Sequence, residues 1–322
     1  MGGKSHRGLE RPAGSPHPPD AARPGRICGL APALGSVPQV NQKFLRPQLC
    51  GRFHLCLALR QTLYPIEQKL ICLPMLRLAL HACIIAALTA LTQLGGIAWA
   101  LSRLSRHPFA VFAALYVGLA LLAVWVAPLT GRTALSCFER GPLQVQSWFY
   151  CATNRTYVTP ELKAVLEEAS SQVEESYPGT QTLVLDANFP FLTGFPLLPH
   201  LSHDDGEKVD LAFYYADAAG DHYSGQVRSP IGYFAFEQGP TNCPDTLLSL
   251  RWDLDWLQPL WKTFELEPQR NRLLVETLAR DQRVAKIFIE PHLKQSLGLT
   301  SDKIRFQGCR AARHDDHIHL QL

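Results

Sequence analysis

The chain closes on "RHDDHIHLQL" (313–322), and well upstream it carries "SHDDGEKVDLAF" (202–213). Imidazoles and carboxylates hold divalent ions and move protons near neutral pH, and both segments concentrate them. Spacing decides which of them can meet. Successive side chains of a strand point to opposite faces. In an extended "HIHLQL", Ile318, Leu320 and Leu322 share one face while His317, His319 and Gln321 share the other. "KVDLAFYY" (208–215) likewise sets Val209, Leu211 and Phe213 against Asp210, Ala212 and Tyr214. If the two strands pair in one sheet, Asp210 and the two histidines converge. His203 lies seven residues before Asp210, on a loop that can fold back over the same face.

His203, Asp210 and His319 together make a ligand set suited to Zn2+, with water in the fourth position. Zinc lowers the pKa of that water toward neutrality and polarises a carbonyl. His317 and His314 then remain for proton transfer or for donation to a developing oxyanion. His-x6-Asp alone, or His-x-His alone, is a weak signal in a chain with 12 histidines. On two strands with matching faces the two signals reinforce each other. The competing reading is a solvated histidine cluster that traps ions fortuitously. Asp204, Asp205, Asp315 and Asp316 read as loop carboxylates or as partners of a ligating imidazole, and Asp316 fits the second role.

These side chains need a scaffold, which the sequence supplies from about Gly131 onward. "TPELKAVLEEASSQVEES" (159–176) predicts a helix: Thr159 can cap it, Pro160 suits its first turn, and Leu162, Val165, Leu166, Ala169 and Val173 recur at helical spacing. Strands are expected at 181–189, 208–215, 232–238, 284–290 and 317–322. A second helical zone is expected over about 254–280, broken near Pro268. Proline and glycine cluster in "FPFLTGFPLLPH", a long loop leading into the first histidine motif. The pattern implies an α+β domain, 131–322, on a mixed or antiparallel sheet. Trp252, Trp256 and Trp261 read as core or groove wall.

Upstream, 78–101 and 108–129 hold no formal charge and are long enough to cross a bilayer, which predicts a transmembrane helical hairpin over 75–130. Arg103 and Arg106 in the connector place it in the cytoplasm by the positive-inside bias, and the C-terminal domain on the outer side. Residues 1–74 carry ten Lys/Arg against three Asp/Glu, and the remainder 21 against 25. This basic, Pro- and Gly-rich tail shows no helical or strand period and is expected to be disordered, or not translated if synthesis starts at Met75. The overall balance of 31 basic to 28 acidic residues gives no nucleic-acid footprint, and no phosphate-binding glycine loop or nucleotide fingerprint is present. Cys137, Cys151, Cys243 and Cys309 allow two disulfides in an oxidising compartment, with three connectivities open.

"SHDDGEKVDL" followed at distance by "HDDHIHLQL" resembles the penicillin-insensitive murein endopeptidases, part of the wider lysostaphin, D-Ala-D-Ala and hedgehog-type zinc peptidase group. "KIFIEPHLKQSL" (286–297) and "PHLSH" (199–203) add to the likeness, which covers about 183–322. The resemblance implies a hedgehog/DD-peptidase-like zinc domain. In it His203, Asp210 and His319 hold Zn2+, His317 is the catalytic histidine, His314 is a further active-site histidine, and His200 stands where the family carries another. It implies a hydrolase of peptidoglycan cross-links, acting on D-amino-acid amide bonds from the bacterial inner membrane with its domain in the periplasm. The alternative is a non-catalytic zinc module that binds cell wall or serves structure. Asp204 and Lys208 depart from the family pattern, and "GDHYSGQVRSPIGYFAFEQGP" (220–240) has no counterpart in it.

Overall fold

The computed structural model describes residues 74–241, 243–244 and 249–322. The basic tail, apart from Pro74, lies outside them. The N-terminal part is helical: α1 (Pro74–Thr92), α2 (Gly95–Ser102) and α3 (Pro108–Val126). The domain that follows carries α4 (Trp148–Ala152), α5 (Pro160–Ser176), α6 (Pro268–Arg280) and α7 (Pro291–Ser296). Its first strands are β1 (Thr133–Ala134), β2 (Leu143–Val145), β3 (Tyr157–Val158), β4 (Thr182–Val184) and β5 (Lys208–Ala212). After these come β6 (Tyr215–Ala216), β7 (Glu265–Leu266), β8 (Lys286–Phe288), β9 (Ile304–Arg305) and β10 (His317–Gln321). The protein is mixed α+β, with two helices long and apolar enough to cross a membrane, Pro74–Thr92 and Pro108–Thr130.

Six strands form one mixed sheet in the order β2-β4-β5-β10-β8-β9. The central pairings, β4 with β5, β5 with β10 and β10 with β8, are antiparallel; the outer ones, β2 with β4 and β8 with β9, are parallel. Helices α5 and α6 cover one face of it. Leu162, Val165, Leu166 and Val173 of α5 and Leu274, Val275 and Leu278 of α6 pack with Val209, Leu211, Ile318 and Leu320 of the sheet. The Thr159 hydroxyl accepts from the Leu162 amide at 3.3 Å and Pro160 opens α5, as the sequence predicts. The alternation expected for 208–213 and 317–322 therefore holds: every second side chain enters the helix-covered core, and the intervening polar ones face away.

Two expectations change. The stretch 78–101 is not one helix. Gln93 adopts φ +64° and the chain reverses there. A Cβ on Gly96 would meet Thr89 Oγ1 at 1.9 Å and the Ile85 carbonyl at 2.7 Å, and the rings of His81 and Trp99 lie 6.0 Å apart. In a continuous helix residues 81 and 99 would be about 27 Å apart. Thus α2 runs back along α1, and "QLGG" makes a turn that uncharged length alone conceals. Trp99 then packs edge-on against Phe109 and Phe112, so α3 reverses again and runs in the direction of α1. Second, 232–238 is not a strand. Phe234 sits at φ +65°, which breaks an extended ladder. The zone 254–280 is helical only at 258–260 and in α6, which starts at Pro268.

Two disulfides select one connectivity, Cys137–Cys151 and Cys243–Cys309. Cys83 in α1 is the free cysteine among the described residues.

Candidate metal centre

The register of β5 and β10 sets His319 directly opposite Asp210 and His317 opposite Ala212. Asp210 is fully buried. Its Oδ1 lies 2.7 Å from His319 Nδ1, 3.3 Å from His203 Nε2 and 3.7 Å from His317 Nε2. His203 Nε2 and His319 Nδ1 are 3.1 Å apart. Ligands held at about 2.0–2.2 Å by a tetrahedral ion stand about 3.4 Å from one another. The three donor atoms therefore already occupy something close to the corners of one ligand shell.

Both imidazoles are oriented from behind. His203 Nδ1 donates to the Ala187 carbonyl at 2.8 Å, which leaves Nε2 turned on the site. The amide group of Gln321, two residues along the same face of β10, lies 2.9 Å from His319 Nε2; with its oxygen turned to the ring it accepts the Nε2 proton and leaves Nδ1 for the site. Between His203 and β5 the chain turns at Gly206 (φ +93°), whose amide donates to Asn188 Oδ1 at 3.1 Å. A Cβ at that position would be strained and would press on Arg132 and Thr159.

His317 is placed beside these ligands. Its Nδ1 faces Asp316 Oδ1 at 2.5 Å and its Nε2 faces the site. Asp316 is buried, and its other oxygen accepts from the Phe234 amide at 2.6 Å. His314 packs tilted against His317 and edge-on to His319, with ring centroids 4.8 Å and 5.6 Å away. Its amide donates to Glu290 Oε1 at 3.3 Å, and Arg251 holds Glu290 through two contacts of 2.9 Å. Of the other aspartates, Asp315 is buried against Arg313, and Asp205 pairs with Lys208 at the surface.

His200 joins the cluster through the second oxygen of Asp210. Its Nδ1 lies 2.9 Å from Asp210 Oδ2 and 3.2 Å from Asp186 Oδ2, off the line of a hydrogen bond to either. His200, His203 and Asp210 present donor atoms within 4.8 Å of one another and form a group that could hold a metal ion. Face alternation could not reveal His200, because it sits on a loop; the signal in the sequence was the resemblance carried by "PHLSH". Tyr233, which the sequence did not single out, donates its hydroxyl to Asp210 Oδ2 at 2.7 Å and meets the His200 and His317 rings edge-on. Asp186 is held by Arg155 in a buried two-bond pair of 2.6 and 2.7 Å.

Electrostatics follow from this crowding. Burial disfavours the Asp210 carboxylate, but four surrounding histidines outweigh it and hold its pKa well below the ordinary range. Burial also opposes charge on His200, yet Asp210 and Asp186 lift it to about 10. His317 is raised in the same way against burial, by Asp210 and Asp316. His319 is pushed down to about 4, mainly by burial, and His314 lies well below its usual value through burial and its histidine neighbours. One carboxylate thus faces several imidazoles that cannot all take a proton. A divalent cation relieves that conflict by binding neutral nitrogens, and imidazole with carboxylate suits zinc, iron, nickel or copper ions. The donor set fits a metal.

No family model matches the chain, and a search of curated proteins returns no match.

Proposed function

We propose that the chain is a membrane-anchored, zinc-dependent peptidase of the murein endopeptidase type, which hydrolyses amide bonds in peptidoglycan cross-links with its domain on the outer side of the cytoplasmic membrane. The observation that carries the reading is the closure of His203, Asp210 and His319 to within 3.3 Å of one another beside a histidine with its own buried carboxylate. A zinc ion held by those three residues would supply Lewis acidity, activating water and polarising the substrate carbonyl. His317 takes the proton released by the attacking water at Nε2 and returns it to the departing amine. Asp316 keeps the Nδ1 proton in place and stabilises the imidazolium that forms. His314, kept neutral, can donate a hydrogen bond to the oxygen that gains charge. A purely structural metal site has no use for a third histidine, backed by its own carboxylate, beside the ligands, which favours catalysis over a non-catalytic wall-binding module. The hedgehog/DD-peptidase-like fold and the peptidoglycan substrate rest on the resemblance of 183–322 to that family.

The test is metal analysis of the purified full chain in detergent, with hydrolysis of purified muropeptides. We expect about one zinc per chain and cleavage that ceases on chelation. His319→Ala should weaken metal affinity by at least about 100-fold, beyond the usual cost of disturbing an outer-shell partner. Stoichiometric zinc without cleavage of any muropeptide would leave the binding-module reading.

A further inference from the structure

Beside the metal cleft lies a second cavity of about 180 Å3. His200 and His317 belong to the walls of both, so the two spaces meet at the proposed reaction centre. The second cavity is of a different kind. Its wall is mostly apolar, built by Phe149, Ile231, Phe234, Phe236 and Trp252. For scale, a cavity of about 150 Å3 lined by Leu, Ile and Phe takes up benzene.

Much of this wall comes from the segment 220–240, which has no counterpart in the family the chain resembles. The segment is fixed in place. Phe234 stands in the left-handed region, a strained conformation for a non-glycine residue. Its amide donates to Asp316, and its carbonyl accepts from Gln258 Nε2 at 2.8 Å and Trp261 Nε1 at 2.7 Å. The Ile231 carbonyl accepts from the Tyr150 hydroxyl. Arg313 lies over the Phe236 ring at 4.1 Å. A strained residue persists where its surroundings over-determine it, and here the same carboxylate, Asp316, holds both His317 and the pocket wall.

Resting on the peptidase reading, we propose that this cavity is the specificity pocket of the site, and that it takes one aromatic or branched aliphatic group attached next to the amide being cut. A methyl group, as on a D-alanyl residue, fills only a small part of the space. The charged groups on the wall, Arg155, Asp186, Arg313 and Asp316, are already paired within the protein, so a charged chain end would lose hydration and have to compete for those partners. Among amides the site could cut, the pocket therefore favours one with a bulky apolar substituent within reach of His200 and His317 over one that offers only a methyl group there.

The experiment is equilibrium binding to the purified full chain in detergent, by titration calorimetry, of N-acetylphenylalaninamide and N-acetylalaninamide in both D and L forms. The phenylalanine probe should bind at least tenfold more tightly in one enantiomer. Ile231→Trp, which fills the cavity, should abolish that difference. Phe234→Gly, which removes the wall and suits φ +65°, should reduce it without loss of thermal stability. Equal affinities in the wild type, or a difference that survives both substitutions, would overturn the pocket. Muropeptide cleavage on the same preparations reports on the peptidase reading separately: cleavage with equal probe affinities keeps the enzyme and removes the pocket.

Discussion

Asp210 divides its two oxygens between two sets of partners. Oδ1 faces His203, His319 and His317, and Oδ2 faces His200 and the Tyr233 hydroxyl. Asp316 repeats the arrangement one step out, with Oδ1 on His317 and Oδ2 on the Phe234 amide. In the proposed mechanism the second carboxylate is thus a positioning residue: it is 2.5 Å from the His317 imidazole and does not touch the proposed ligand atoms. Asp316→Asn retains the shape but can present an amide N–H where His317 needs an acceptor, which favours the wrong tautomer. We expect kcat to fall by about 100-fold or more, the scale of a lost general base, with zinc content and KM little changed. A merely structural role would lower metal content or folding yield along with kcat, so zinc analysis beside the kinetics separates the two.

At the level of elements, the sheet does the positioning, and it was largely legible. Alternation in "KVDLAF" and "HIHLQL" requires one buried and one polar face per strand, and a one-residue slip would expose Ile318 and Leu320. That constraint puts Asp210, His317 and His319 on one face if the strands pair, so their convergence could be anticipated; the exact register, with His319 directly opposite Asp210, could not, because a shift of two residues keeps the same faces. The helix over 160–176 was legible for similar reasons of capping and period. Segment 220–240 was not, because its form depends on three tertiary hydrogen bonds to Phe234 rather than on any local period. Its flank offers a further prediction. His222 Nδ1 lies 2.7 Å from Glu267, the residue that precedes α6. Burial, then Arg270 on the same carboxylate, push its pKa down to about 4. Unfolded, it titrates near ~6.5. Between those values the unfolded chain binds a proton that the folded chain refuses, so this contribution to stability is complete above pH 6.5 and is lost as pH falls toward 4. His222→Gln should make the decline of thermal stability across that window shallower; an unchanged slope would mean that His222 is protonated in the fold.

For the whole molecule, the reversal at Gln93 changes how the apolar helices must be understood. The eight residues of α2 span about 12 Å, less than half of a ~30 Å apolar core. Arg103 and Arg106 therefore cannot lie across a bilayer from Gln93, and their charge does not set the orientation as it would in a hairpin of two full spans. The C-terminal end of α1 and the middle of α3 are instead tied to the domain: Asn154 donates to the Thr92 carbonyl and the Tyr116 hydroxyl at 3.2 Å each, and the Phe191 amide donates to Gln93. Away from that junction α1 is bare, with Leu76, Leu78 and Leu80 each more than half exposed. Its nineteen residues span about 28 Å, a match to a bilayer core. Cys83 sits near its middle, exposed and unpaired, and so reports where that surface lies. In intact membranes a water-soluble maleimide should leave Cys83 unmodified, and detergent should open it to near-complete labelling, as read by mass spectrometry of the peptide that carries it. Equal labelling with and without detergent would mean that α1 faces water, and its apolar surface would then need a protein partner instead of lipid.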